Sequence, residues 1–542
     1  MMFNKIFAIS SLLSLLLIVS CSDDLAIENP NTPTPSSLDS ESGIISFATG
    51  GVYITGFKDL KYTDGVYGPF WSGATAFHEL MADVIGADAA NAFINQLGCP
   101  NKVTYDDGTV VLNPNAPNTQ YALVRQSNTN QQGANNFLYY EWAYMYNLIG
   151  ACNLILEKAG TVTLSGDAAS KKAAIEAWAY WWKGFAYSRI GSIYYAGLII
   201  DKSFETNGNY VSKEKIIAEA TKNLDKAVAS AKAAPSAALF TATWTKIIPA
   251  FYQVGKGLPM SVAEFERNVN SMKARNILVN KTTATMTATD WQSVLSLANT
   301  GIQASDNVFT VRSDAAPVIF ATNQLLMGRT YSNAAGGATY KISERWVQEF
   351  KAGDKRLTQN IVSTGAPYTG QADRGNAHFT RHALVPDGQG LDGVYIFAKS
   401  TPGDFEMFMA VNFEENELMK AEALINTGKI DEGLAIVDAV RNLQGAELEA
   451  VSGKGLNLAD AKEELRRERR IVCALRGISF YDARRWGVIE SGRTGAVLLS
   501  NAAVVSTNGK IDYGFLDYWD VPDNELFYNP ASAGSDAIKN PK

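Results

Sequence analysis

Apolar positions recur at steps of three and four over long stretches of this chain, the period of helices that bury one face. Phe137, Tyr140, Tyr144, Leu148, Cys152 and Ile155 fall on one such face. Trp178, Trp181, Trp182 and Phe185 follow at i, i+3, i+4 and i+7 in AWAYWWKGFAYSRIGSIYYAG, a helix predicted to end before Gly197. Aromatic stripes at this spacing are core packing. Ser212 is a good N-cap for a third helix carrying Ile217, Ala220, Leu224, Ala227 and Ala231, a small-residue face that lets a neighbour approach closely. Asp290 is expected to cap a fourth helix with Trp291, Leu295, Ala298 and Ile302. NELMKAEALINTGKIDEGLAIVDAVRNLQG then reads as two helices broken at Gly428, the second bearing Leu434, Val437 and Val440. A helix pair with a tight turn is a tetratricopeptide-like unit of roughly 34 residues. The period is not strict, so the pattern predicts irregular repeats separated by insertions.

The insertions have a different texture. Residues 99–136 are dense in Asn, Gln, Gly and Pro, and residues 328–340 and 363–400 are similar. Tyr, Phe and Val are interspersed, which predicts ordered surface loops. The expected fold class is mainly α: irregular tetratricopeptide-like repeats (about 133–235, 290–302 and 414–487) packed against a loop-rich half with few short strands (insertions about 86–136 and 303–413).

At the start of the chain, Lys5 precedes an apolar run from Ile6 to Val19 that is too short to span a bilayer. It has the form of a secretory signal peptide, residues 1–20. Leu17-Ile18-Val19-Ser20-Cys21 resembles the lipobox of bacterial lipoproteins, in which the cysteine receives lipid and becomes the new N-terminus. Residues 21–42, with Pro30, Pro33 and Pro35 among polar residues, read as a flexible tether, and 43–542 as a single body. Ser22-Asp23-Asp24 resembles the acidic signal that routes Bacteroidetes lipoproteins to the outer face of the outer membrane.

Composition narrows the function. With 46% hydrophobic residues there is ample material for a core, and the net charge of −7 argues against a nucleic-acid partner. Cys99, Cys152 and Cys473 have no C-x-x-C spacing and describe neither a disulfide framework nor a zinc site, although one bridge involving Cys99 stays open. Catalytic constellations are sparse. His378-Phe-Thr-Arg-His382 lacks the Glu of an H-E-x-x-H zinc site, no G-x-S-x-G elbow occurs, and Gly51-x-x-x-x-Gly56 is followed by Phe57-Lys58, not by the Lys-Ser/Thr of a P-loop. Glu414 and Glu415 read as a helix start, and Asp387-Gly-Gln-Gly-Leu-Asp392-Gly as a turn, not a calcium loop. No catalytic residue, metal or cofactor is assigned.

The stretch ELRRERRIVCALRGISFYDARRWG, residues 464–487, closely resembles the C-terminal signature of the SusD/RagB family of outer-membrane nutrient-binding lipoproteins. NELMKAEALINTGKIDEGLAIVDAVRNLQG, WAYMYNLIGACNLIL and SERWVQEFKAGDKRL resemble further helices of that family in the same order. The charges of the signature have their own reading: Glu463 faces Arg467 one turn on, Glu464 is expected to reach Arg467 or the neighbours of Glu468, and Arg476, Arg484 and Arg485 add cations. A structural ion-pair network is expected there in preference to a polyanion site.

The resemblance implies a non-enzymatic, surface-exposed protein anchored to the outer membrane through acyl chains such as palmitate on Cys21. It would bind nutrient oligosaccharide and deliver it to a SusC-like TonB-dependent transporter. Peptide import of the RagB type and a surface glycoside hydrolase are the alternatives. Sugar capture needs flat aromatic faces rimmed by polar groups. The residues of that kind in the loop-rich zones are Phe93, Tyr105, Asn118, Tyr121 and Arg125, and then Tyr331 and Tyr340 around a Gly-rich stretch. Tyr62, Tyr67 and Trp71 form a third aromatic cluster, ranked lower.

Overall fold

The computed structural model describes residues 35–53, 73–87, 93, 96–116, 118–312, 340–370, 375–384, 406–489 and 492–542. Cys21, Tyr62, Tyr67, Trp71, Tyr331 and the Asp387–Asp392 turn lie outside them.

The first half is helical. Helices α1 (Glu41–Tyr53), α2 (Thr75–Met81) and α3 (Gln120–Ser127) precede two long ones, α4 (Leu138–Ala159) and α5 (Ala168–Ile193). Then come α6 (Lys213–Lys232), α7 (Ala237–Ile247), α8 (Val262–Val279) and α9 (Ala288–Asn299). Short α10 (Glu344–Val347) and α11 (Lys355–Asn360) lead to the closing helices α12 (Phe413–Asn426), α13 (Ile430–Leu443), α14 (Leu458–Val472), α15 (Ser479–Arg485) and α16 (Asp523–Tyr528).

The strands are short and mostly paired in twos, all antiparallel. β1 (Ile85–Ala87) pairs with β7 (Tyr340–Ile342), β4 (Ala196–Leu198) with β5 (Tyr210–Ser212), β6 (Thr310–Arg312) with β10 (Glu406–Phe408), and β8 (Ile361–Tyr368) with β9 (Thr380–Leu384). Among the described residues only β11 (Arg493–Leu499), β12 (Val505–Asp512), β2 (Lys102–Thr104) and β3 (Val110–Leu112) form a larger sheet, in that order, which orders part of the 99–136 insertion against the last part of the chain.

One contiguous cluster of buried apolar side chains runs from Ile44 to Val521. The tryptophan stripe sits in its middle: Trp178, Trp181 and Trp182 are fully buried and surround Phe309 at ring distances of 5.4, 4.3 and 5.0 Å. The close approach anticipated between helices is real, with glycine supplying half of it. A Cβ on Gly184 of α5 would lie 2.8 Å from Leu224 and 3.2 Å from the Ala220 carbonyl of α6, and one on Gly191 would lie 2.9 Å from Ile217. Between α12 and α13 the break falls as expected. Gly428 takes φ +88°, and the Lys429 N–H donates to the Leu424 carbonyl at 2.9 Å, the longer bond of a Schellman stop.

Of the two expected caps, one holds its position and one differs. Ser212 is the N-cap of α6, in extended conformation but without a side-chain cap bond, and the buried face begins at Ile216 while Ile217 is half-buried. The α9 cap is Thr287, not Asp290. Asp290 is the third helical residue and closes a capping box, its amide donating to Thr287 Oγ1 while its carboxylate accepts from the Thr287 amide.

The charged signature is largely interior. Glu468 accepts from Arg356 and Arg441, Asp482 from Arg469 and Arg485, and Glu422 from Arg485. Glu415 pairs with Arg275 and Arg476. Arg484 donates instead to the carbonyls of Ser192, Val279 and Asp517. Glu463 bridges Arg466 and Arg467, while of the two alternatives for Glu464 it takes not Arg467 but Arg441, the partner of Glu468, at 2.8 Å, together with Lys351 at 2.7 Å. Buried guanidiniums need acceptors on several elements at once, so this network ties α12, α14 and α15 to the body. Cys99, Cys152 and Cys473 are buried thiols outside any disulfide among the described residues; burial pushes those of Cys152 and Cys473 up to about 12.

Candidate functional site

Strand register brings the ends of the insertions together. Arg312, after which residues 313–339 leave the described chain, lies opposite Glu406, where it resumes after 385–405. Tyr340, at the other end of 313–339, lies opposite Ala87, from which residues 88–92 depart. Tyr53, the last residue of α1 before 54–72, stacks on Tyr252 with ring centroids 5.4 Å apart and planes at 21°.

Tyr252 belongs to a one-turn 3-10 helix, Ala250–Tyr252, and a second turn, Gly255–Gly257, follows at once. Aromatic rings step outward here: buried Trp178 lies 5.9 Å from Tyr53, and Phe251 meets Tyr252 edge-on at 5.4 Å. Phe251 is 42% exposed, with Val254 and Leu258 also exposed beside it on the same loop. The turn is seated on the β6–β10 pair. The Val308 amide donates to the Lys256 carbonyl, and the Lys256 amide donates to Glu406 at 3.2 Å. Glu406 also accepts from Thr310 Oγ1 at 2.8 Å and pairs with Arg312 at 3.4 Å. Gly255 has φ +63°, and a Cβ there would lie 2.6 Å from the Glu406 carboxylate and 2.7 Å from the Arg312 guanidinium. The result is an exposed ring, Phe251, on a turn seated over the Arg312–Glu406 pair, whose side chains are only 13% and 15% exposed; the ring itself is the kind of apolar face that stacks on a sugar.

Sequence reading did not single out this loop. Its signal is present in IPAFYQVGKGLPM: an aromatic pair between Pro249 and Pro259 with two glycines, breakers that favour a turn although Phe251, Val254 and Leu258 fall at i, i+3 and i+7.

The residues expected to bind ligand are dispersed. Tyr121 and Arg125 share α3, the guanidinium 6.0 Å from the ring centroid, and Tyr121 is 41% exposed with Asn118 exposed just before the helix. A cleft of about 370 Å³ opens beside them, lined by Arg125, Asn128, Asp520, Asp523, Lys539 and Asn540 among others. Arg125 itself is committed to holding the chain: it donates to Asp520 at 3.1 Å and to the carbonyls of Asn540 and Lys542 at 2.6 and 2.5 Å. Phe93 takes φ +67° and packs half-buried against the core. Tyr105 and Tyr340 are core residues, 7% and 3% exposed, and this corrects the expectation for both. Tyr105 donates to the Leu499 carbonyl and accepts from Asn376 between loop and sheet, while Tyr340 opens β7 against β1; neither ring has a face open to a sugar.

The motifs tested for chemistry have structural partners. His382 lies 3.5 Å from Glu344, whose carboxylate also takes Arg381 and is held down at about 2, the hydrogen bonds from these two overcoming its burial. Glu414 accepts from Asn412 and Glu415 is the buried partner of two arginines. Among the described residues no group of three or more His, Cys, Asp or Glu side chains is arranged to hold a metal ion, and no helix is long and apolar enough to cross a membrane.

Solved structures give the fold a class. A SusD-like carbohydrate-binding protein from Bacteroides fragilis superposes with a TM-score of 0.59 at 16% identity, over 92% of this chain and 99% of its own. A SusD superfamily protein from Parabacteroides distasonis gives 0.56 at 13% identity, covering 92% and 98%. The NanU protein of B. fragilis gives 0.53 at 13% identity, covering 95% and 100%. No family model matches the chain, and no curated protein matches it. The chain has the mainly α SusD-like fold, as its C-terminal signature implies.

Proposed function

We propose that this protein binds nutrient oligosaccharide at the cell surface, using the aromatic turn around Phe251. The observation that carries this reading is the outward run of rings from Trp178 through Tyr53 and Tyr252 to Phe251, ending beside the Arg312–Glu406 pair. Buried rings fix the position of the exposed one, so a sugar stacking on Phe251 meets a surface already in place. The likeness to a SusD-like carbohydrate-binding protein supports the same ligand class. Lipidation of Cys21, an outer-membrane position facing outward, and delivery to a SusC-like TonB-dependent transporter complete the proposal, supported by the lipobox and the signature in the sequence.

Affinity electrophoresis of the soluble chain through gels containing a panel of polysaccharides tests it. Retardation by at least one polysaccharide is expected, and Phe251→Ala should abolish or strongly reduce it. Migration unchanged by every polysaccharide, or retardation indifferent to Phe251→Ala, would refute the role given to this turn.

A further inference from the structure

A second cleft lies on elements that the glycan reading does not use. It holds about 400 Å³ between α14 and β11, and its lining includes Arg466, Arg467, Arg470, Arg493, Glu463 and Trp486. Three of these arginines stand at i, i+1 and i+4 on α14, and the fourth is the first residue of β11.

The charges do not cancel. Glu349, 1% exposed, accepts from Arg466 at 3.0 and 2.8 Å, from Arg493 at 3.0 Å, and lies 2.9 Å from Arg470. Burial opposes its ionisation, yet Arg493, Arg470 and Arg466 hold its carboxyl down at about 2. Glu463 takes Arg466 at 2.7 Å and Arg467 at 3.1 Å. Four guanidiniums therefore share two carboxylates, and the local charge stays positive even if Glu490, outside the described residues, is counted in full.

Donors remain as well. Arg467 engages Glu463 through Nε, and Arg493 engages its acceptors through one terminal nitrogen; their other N–H groups have no acceptor among the described residues. Trp486, half-buried, is backed at 4.6 Å by the Arg485 guanidinium, which fixes its ring at the cleft wall.

We propose that this cleft binds a small ligand of about monosaccharide size through an oxyanion group, a carboxylate or a sulfate or phosphate ester. Guanidinium forks match such groups bidentately. The volume lies in the usual range of small-molecule sites, about 300–1,000 Å³, and is larger than a bare inorganic anion requires. The oxyanion takes the open donors of Arg467 and Arg493, and the rest of the ligand packs toward Trp486.

Calorimetric titration of the soluble chain at low ionic strength, with glucuronate, sodium sulfate and glucose in separate arms, tests this. Glucuronate should bind saturably, sulfate should compete with it, and glucose should not bind at this site. Arg467→Gln removes one partly exposed ion pair and should leave the melting temperature within a degree or two while weakening glucuronate at least fivefold; Arg467→Lys should weaken it less. Phe251→Ala should leave glucuronate binding unchanged, which separates this site from the proposed glycan face. No saturable glucuronate binding, glucose binding as tightly as glucuronate, or an Arg467→Gln protein with unaltered affinity would each overturn the proposal.

Discussion

The charged closing helices and the aromatic turn at 250–258 use side chains against their ordinary habits. In α12, α14 and α15 the carboxylates and guanidiniums are inside: Glu422, Glu468, Arg469 and Arg485 are all at most 2% exposed. On the turn it is Phe251, Val254 and Leu258 that face solvent. The first arrangement holds elements distant in sequence in one geometry, since each buried ion needs its partner. The second turns three apolar side chains of one turn to solvent, the face that the proposal gives to ligand. Scaffold and site are thus distinguishable by which kind of side chain is out of its usual place.

The sharpest way to break this contrast is to remove one buried ion. Arg485→Ala leaves Glu422 and one bond to Asp482 uncompensated, and should lower unfolding free energy by about 3–5 kcal/mol in urea denaturation. A loss below about 1 kcal/mol would mean that the network is solvated.

Acid should reach the same regions next. Glu349 and Asp83 have carboxyls held at about 2 despite burial, by Arg493, Arg470 and Arg466 in one case and Arg345 in the other. Folded values below the unfolded ones mean that their stabilisation is fully present above about pH 4.5 and lost as pH falls toward 2. Thermal melts should therefore be level above about pH 5 and fall steeply below it. Glu349→Gln should flatten part of that fall.

A surface feature of the scaffold ought to matter less. Thr287→Ala removes the α9 cap and should cost about 1 kcal/mol.

Smallest in stability, and most telling for the comparison, is Phe251→Ala: unfolding free energy within about 0.5 kcal/mol of the parent, with polysaccharide affinity reduced about tenfold. A large stability loss there would make Phe251 another core residue and erase the distinction.

Legibility in the sequence divides along the same line. Trp178, Trp181 and Trp182 announce a buried stripe because helical period is local, and Gly428 announces a helix stop because its backbone conformation is local too. The family-like signature at 464–487 conveyed the fold, and its charges conveyed a network, although Glu464 chose partners on α13 and in the segment after α10. Exposure is not local. Tyr340 beside a Gly-rich stretch reads as a loop aromatic, yet it pairs with Ala87 across most of the domain and is covered. Arg125 looks available until Asp520, Asn540 and Lys542 arrive from the far end of the chain. Phe251 was missed for the converse reason: nothing nearby in sequence says that its turn rests on β6 and β10 with its ring left outward.

The three buried thiols have a practical consequence. Cys99 precedes the four-stranded sheet, Cys152 lies within α4 and Cys473 closes α14, so each reports on a different part of the molecule. In the native state Cys152 and Cys473 are almost wholly un-ionised at neutral pH and shielded from alkylating reagents. Labelling at either site then requires a local opening, and its rate under native conditions measures how often that part of the protein breathes. The chain carries its own clock for asking whether α4 opens more often than the closing helix α14.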